Sequence, residues 1–83
     1  MRTIDTHPYF ENVTPINHPE IMPFVEWVFR AIEKPDHAET QDDGRIRYFI
    51  YVPEAQKYIR VITLENGRTI FNAFFDRNHK PSE

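Results

Sequence analysis

Four arginines stand in β-rich sequence in the second half of the chain: Arg45, Arg47, Arg60 and Arg77. Aromatic residues are interleaved with them, among them Phe49, Tyr51, Tyr58, Phe71 and Phe75. Guanidinium groups grip phosphates through paired hydrogen bonds, and aromatic rings stack on bases. Side by side on one surface, these groups do the chemistry of single-stranded RNA recognition. Whether they lie side by side depends on the strands that carry them.

Three β-rich runs are legible, at about 45–52, 57–65 and 68–76, with a further short strand at 37–41. Asn66-Gly67 predicts a two-residue type I′ turn. That turn sets Ile62 opposite Phe71 and Arg60 opposite Ala73. A four-residue loop at Pro53–Gln56 sets Val52 opposite Lys57 and Phe49 opposite Arg60. One face then holds Ile46, Tyr48, Ile50, Ile59, Val61, Thr63, Ile70, Asn72 and Phe74. It is mostly apolar and suits packing beneath a helix. The other face holds Arg45, Arg47, Phe49, Tyr51, Tyr58, Arg60, Ile62, Phe71, Ala73, Phe75 and Arg77. Arg45, Arg47, Tyr51 and Phe71 are its RNA-binding candidates. A one-residue change in the Pro53–Gln56 loop sends Arg45 and Arg47 to the opposite face.

The same face supports a plainer reading. Cross-strand stacking of arginine on aromatic rings contributes about 0.5–1 kcal/mol with no ligand present. Its apolar part also suits a homodimer or another protein contact.

Upstream, Ile21, Val25, Val28 and Ile32 recur at spacings of three and four, with Phe24 and Phe29 widening the stripe. This predicts one main helix over about 20–34, ended by Pro35. Asn17-His-Pro-Glu20 resembles a capping box, but Pro23 pushes the regular helix start to about residues 20–22. Residues 1–19 hold Pro8, Pro15 and Pro19 and no apolar period, so they read as an irregular arm. The expected fold is α+β, with one main N-terminal helix packed on a three- to four-stranded antiparallel β meander. The expected organisation is an arm at 1–19, one domain at 20–80 and a flexible tail at 81–83.

At 83 residues the chain makes one domain at most. It has no cysteine, so disulfides and thiol chemistry are excluded. It shows no signal peptide and no apolar stretch near the ~20 residues of a membrane span, so a cytoplasmic protein with no membrane contact is expected. The net charge is −3, which argues against nucleic-acid binding by the whole surface. The charge is uneven, however. Asp36, Glu39, Asp42 and Asp43 fall in an acidic loop, whereas Lys and Arg at 45, 47, 57, 60, 68, 77 and 80 outnumber Glu54, Glu65 and Asp76. His7, His18, His37 and His79 have no metal-ligand spacing, so no metal is expected. Gly44 and Gly67 are the only glycines, so there is neither a phosphate loop nor a hydrolase elbow.

The runs Asp43-Gly-Arg-Ile-Arg-Tyr-Phe-Ile-Tyr-Val-Pro-Glu54, Lys57-Tyr-Ile-Arg-Val-Ile-Thr63 and Asn72-Ala-Phe-Phe-Asp-Arg77 carry a family likeness. Over about residues 20–80 the chain resembles the barnase–EndoU–colicin–RelE-like superfamily, with its RelE/ParE-type and phage-associated toxins. The resemblance implies an antiparallel sheet with a helix on one face and RNA on the other. It implies metal-free, cofactor-free endoribonuclease chemistry, in which a 2′-hydroxyl attacks the adjacent phosphate. A base takes the 2′ proton, an acid protonates the leaving oxygen, and cations hold the phosphate charge. By the same resemblance Arg60 and Arg77 stabilise phosphate, Tyr58 or His79 moves the proton, and an antitoxin-like protein is the partner. The chain departs from the pattern in its acidic balance and in having no histidine inside the strands. Those departures keep open a non-catalytic protein-interaction or homodimerisation module.

Overall fold

A computed structural model describes residues 4–77. Strand β1 (Asp5–Thr6) leads into helices α1 (Pro8–Asn12) and α2 (Thr14–Asn17), a 3-10 helix (Pro19–Phe24) and helix α3 (Val25–Glu33). Strands β2 (His37–Thr40), β3 (Ile46–Val52), β4 (Lys57–Thr63) and β5 (Thr69–Asp76) follow. They form one five-stranded sheet in the order β1-β5-β4-β3-β2. The run β2 to β5 is the expected antiparallel meander, and β1 adds a parallel edge on β5. The fold is α+β, with a mixed sheet and several short helices in place of one main helix on a purely antiparallel sheet.

The prolines explain the difference at the N-terminus. Pro8, Pro15 and Pro19 each stand in the first turn of a short helix. Proline suits that place because its missing N–H would have no partner there. They start helices in a segment that the sequence suggested was irregular. His7 adds a cap: its Nδ1 accepts from the Tyr9 backbone N–H at 3.0 Å. The capping box at Asn17–Glu20 does not form; His18 occupies the cap position and makes no side-chain cap bond. Pro23 lies within the 3-10 helix, and regular α geometry begins only at Val25, later than expected. The physical cause is the absent donor of Pro23, which cannot close an i to i−4 bond. Helix α3 ends at Glu33, just ahead of Pro35.

The predicted stripe is the helix's buried side. Ile21, Val28 and Ala31 are fully buried and Ile32 nearly so, against Ile59, Val61, Ile70 and Ala73 from the sheet. Val25 and Phe29 pack at the margin of this core. Each such isoleucine or valine side chain contributes about 1.5–3 kcal/mol relative to exposure.

The Pro53–Gln56 loop has the expected four residues, and Val52 pairs with Lys57 and Phe49 with Arg60 as predicted. Gln56 closes it with φ at +55° and its N–H on the Val52 carbonyl at 2.8 Å. The second hairpin departs from expectation in two ways. The Gly67 N–H donates to the Leu64 carbonyl at 3.0 Å, and Gly67 has φ +72° while Asn66 has no positive φ. A type I′ turn needs positive φ at both central residues, so this is a different turn. The Asn66 Oδ1 accepts from the N–H groups of Arg68 and Thr69, at 3.0 Å each. Beside the turn Thr63 faces Ile70, as the predicted register has it. The register then slips. Ile62 faces Asn72 and Arg60 faces Phe74, because a β-bulge leaves Phe71 as an extra residue in β5.

Gly67 makes the turn testable. A Cβ there would stand 3.2 Å from the Tyr48 hydroxyl, which donates to the Gly67 carbonyl. An L side chain in the left-handed region costs roughly 1–2 kcal/mol. Gly67→Ala is expected to lower stability by about that much, read as a lower urea midpoint with an unchanged slope.

Candidate functional site

The β3–β4 register gathers Arg47, Phe49, Tyr51, Tyr58, Arg60 and Ile62 on the face away from α3. Arg45 precedes β3, and its guanidinium lies 4.2 Å over the Phe71 ring. This much follows the sequence expectation. The bulge changes the β5 contribution. Ala73 goes into the core and Phe75 packs against it, although both were expected on the arginine face. Asn72, Phe74 and Asp76 take their places opposite Ile62, Arg60 and Tyr58. Arg77 follows in the alternation of Ala73 and Phe75, so it leaves the row of Arg45, Arg47 and Arg60.

Helices α1 and α2 and their flanks run along β5 on this side. Tyr9 stacks on Phe71 at 4.6 Å, and His18 stacks on Phe74 at 5.2 Å. The hydroxyl of Thr14, itself fully buried, donates to Asn72 Oδ1 at 2.7 Å. The supposed open face is therefore covered along β5. Phe71, an expected RNA contact, is packed between Tyr9 and Arg45.

The central arginines face carboxylates. Arg60 Nη2 donates to Asp76 Oδ2, and the Asp76 side chain is only 5% exposed. The Arg60 guanidinium also lies 5.5 Å from the Phe49 ring centre and 5.4 Å from that of Phe74. Its Nε is buried with no hydrogen-bond acceptor among the described residues. Arg47 Nη1 donates to Glu39 Oε1 at 3.0 Å. With its amide turned to satisfy both neighbours, Gln41 accepts from Arg47 Nε and donates to Asp43 Oδ1. Phe49, beneath these groups, is 3% exposed. A carboxylate beside an arginine offsets part of the charge that the arginine can offer a phosphate.

Asp76 was missed as a site residue, because the unbulged register turns it toward the helix. A signal did exist: that register also turns Asn72 inward and Ala73 and Phe75 outward, against the usual sorting of polar and apolar side chains.

Two exposed cations stand at the end of the sheet. Tyr51, Gln56, Lys57, Tyr58, Asp76 and Arg77 line an open cleft of about 300 Å³. It lies where β3 ends, β4 begins and β5 ends. Lys57 and Arg77 are exposed. The Tyr51 and Tyr58 rings meet edge to face, with centres 5.3 Å apart. The cleft thus combines two cations with two half-open aromatic rings. It reunites Tyr51, Tyr58 and Arg77, three of the expected site residues, and places Arg60 behind Asp76 instead of in the opening. A larger cleft of about 460 Å³ at the opposite end is lined by Asp43, Arg45, Leu64, Glu65 and Asn66. Its carboxylates outnumber its one cation, which suits an anionic ligand poorly. His79 lies outside the described residues. Among the described residues no group of three metal-ligating side chains occurs, and no helix is long and apolar enough to cross a membrane.

No protein-family model matches the sequence, and no curated protein and no solved structure matches the chain.

The paired state of Arg60 has a measurable consequence. Arg60→Ala removes the guanidinium from a buried carboxylate. Breaking such a pair costs about 3–5 kcal/mol, and partial exposure of the Arg60 side chain (27%) places this one at the lower end. Urea unfolding should show a loss of about 3 kcal/mol. Arg77→Ala, at an exposed position, should shift the midpoint little.

Proposed function

We propose that this chain contacts single-stranded RNA in the manner of a RelE-like toxin, through the cleft at the end of the sheet. The observation that carries the reading is the meeting of Lys57 and Arg77 with the Tyr51 and Tyr58 rings around one opening. The cations meet phosphate charge, and the rings offer faces to bases. Arg60 then acts from behind, holding Asp76 in the cleft wall. If the chain also cuts RNA, Arg77 holds the reacting phosphate, and Tyr58, which lines the same cleft, moves the proton. A cytoplasmic location and an antitoxin-like protein partner belong to the same reading. A second reading, non-catalytic contact with a protein through the centre of the face, draws on the carboxylate-paired state of Arg47 and Arg60.

Fluorescence anisotropy with a labelled single-stranded RNA tests the reading. Lys57→Ala and Arg77→Ala should each weaken binding and flatten its salt dependence by about 0.7 in log–log slope per lost phosphate contact. Tyr51→Ala should cost about 1–3 kcal/mol of affinity. Denaturing gels of the same RNA report cleavage, which Arg77→Ala should remove. A wild-type chain that binds no RNA, or binding indifferent to all three substitutions, overturns the proposal.

A further inference from the structure

Strand β2 forms one outer edge of the sheet, and all four of its residues are exposed. The opposite side is closed differently, by β1 and the helices that run along β5. The Gln41 N–H donates inward to the Arg45 carbonyl at 2.7 Å. In an antiparallel ladder the inward-bonded residues alternate, so Glu39 and His37 bond toward β3 with Gln41. Ala38 and Thr40 therefore turn their backbone N–H and C=O outward. The strand carries no proline or lysine, and its shortness and Glu39 are its guards against open-ended pairing.

We propose that β2 pairs with β2 of a second copy of this chain, antiparallel about a twofold axis at Ala38, joining two five-stranded sheets into one. Three registers would bring outward-turned groups together. Pairing Ala38 with Thr40 of the second copy sets Glu39 against Glu39, two like charges face to face, which is destabilising. Pairing Thr40 with Thr40 runs each strand against Asp42 and Asp43, which lie in a turn. Pairing Ala38 with Ala38 sets each His37 opposite Glu39 of the other copy. It also keeps the small Ala38 side chains on the axis. The His37 imidazole already lies 3.4 Å from its own Glu39, so these groups are oriented toward one another on a common face. The pairing closes two backbone hydrogen bonds at Ala38 and is short. The dimer is expected to be concentration-dependent, in the small-interface class.

Sedimentation velocity from about 10 µM to about 1 mM should show the monomer giving way to a dimer. Hydrogen exchange at the Ala38 amide should slow as the dimer forms. Ala38→Pro removes an outward donor that β3 does not use, and should leave a folded monomer. Ala38→Lys, which places two cations on the axis, should also give a monomer and covers the case in which proline disturbs the strand. Phe71→Asp, on another surface, should leave the association intact wherever it folds. A chain monomeric throughout the range overturns the proposal, as does a dimer that survives both Ala38 substitutions. Loss of RNA binding in the cleft variants has no bearing on these outcomes, because β2 takes no part in the cleft.

Discussion

The extra residue in β5 is the constraint on which the rest of the structure depends. Phe71 stands against no single partner, and from Asn72 onward every β5 side chain is turned to the face opposite its unbulged position. That half-turn completes the core, because Ala73 and Phe75 come to lie with Val61 and Ile59 under α3. It also brings Asp76 to Arg60 and Asn72 to Thr14. Without it the core would hold an amide and a carboxylate, each without the bonds that burial demands.

The same shift changes what the arginine face can do. Read as a bare surface, the face would present a row of guanidinium groups to solvent. In the folded chain Arg60 is held by Asp76 between two phenylalanine rings, Arg47 is held by Glu39, and Arg45 lies over Phe71. The centre of the face is a carboxylate-paired polar and aromatic layer that helps to hold β2 to β3 and β4 to β5. At its margin, Lys57 and Arg77 add exposed positive charge around the tyrosine-lined cleft. An acidic chain can keep such a local cationic surface, since a cleft responds to the charges nearest it.

Much of this was legible. The β3–β4 hairpin followed from its loop length, because period-two alternation leaves no freedom once one cross-strand pair is set. The buried stripe of α3 followed from helical spacing. Other parts were misread for local reasons. Pro8, Pro15 and Pro19 looked like breakers, yet proline at the first turn of a helix is a starter, and spacing alone does not tell the two apart. Asn66-Gly67 marked a turn and set the neighbouring pair Thr63–Ile70, but not the backbone type. The bulge left a trace in the polar–apolar order of residues 72–76, which conflicts with an unbroken strand.

By itself the sequence determined the α+β class, the positions of β2 to β5, the side of α3 that is buried and the common face of Arg47, Tyr51, Tyr58 and Arg60. All of these rest on repeats and turns within a few residues of one another. Tertiary structure alone decided that Asp76 meets Arg60, that the N-terminal helices cover β5, and that Arg77 joins Lys57 and the tyrosines instead of the arginine row. Those outcomes depend on one irregular residue and on packing between segments far apart in the chain. The gain that selects them, a filled core with its polar groups bonded, exists only when the whole sheet is assembled.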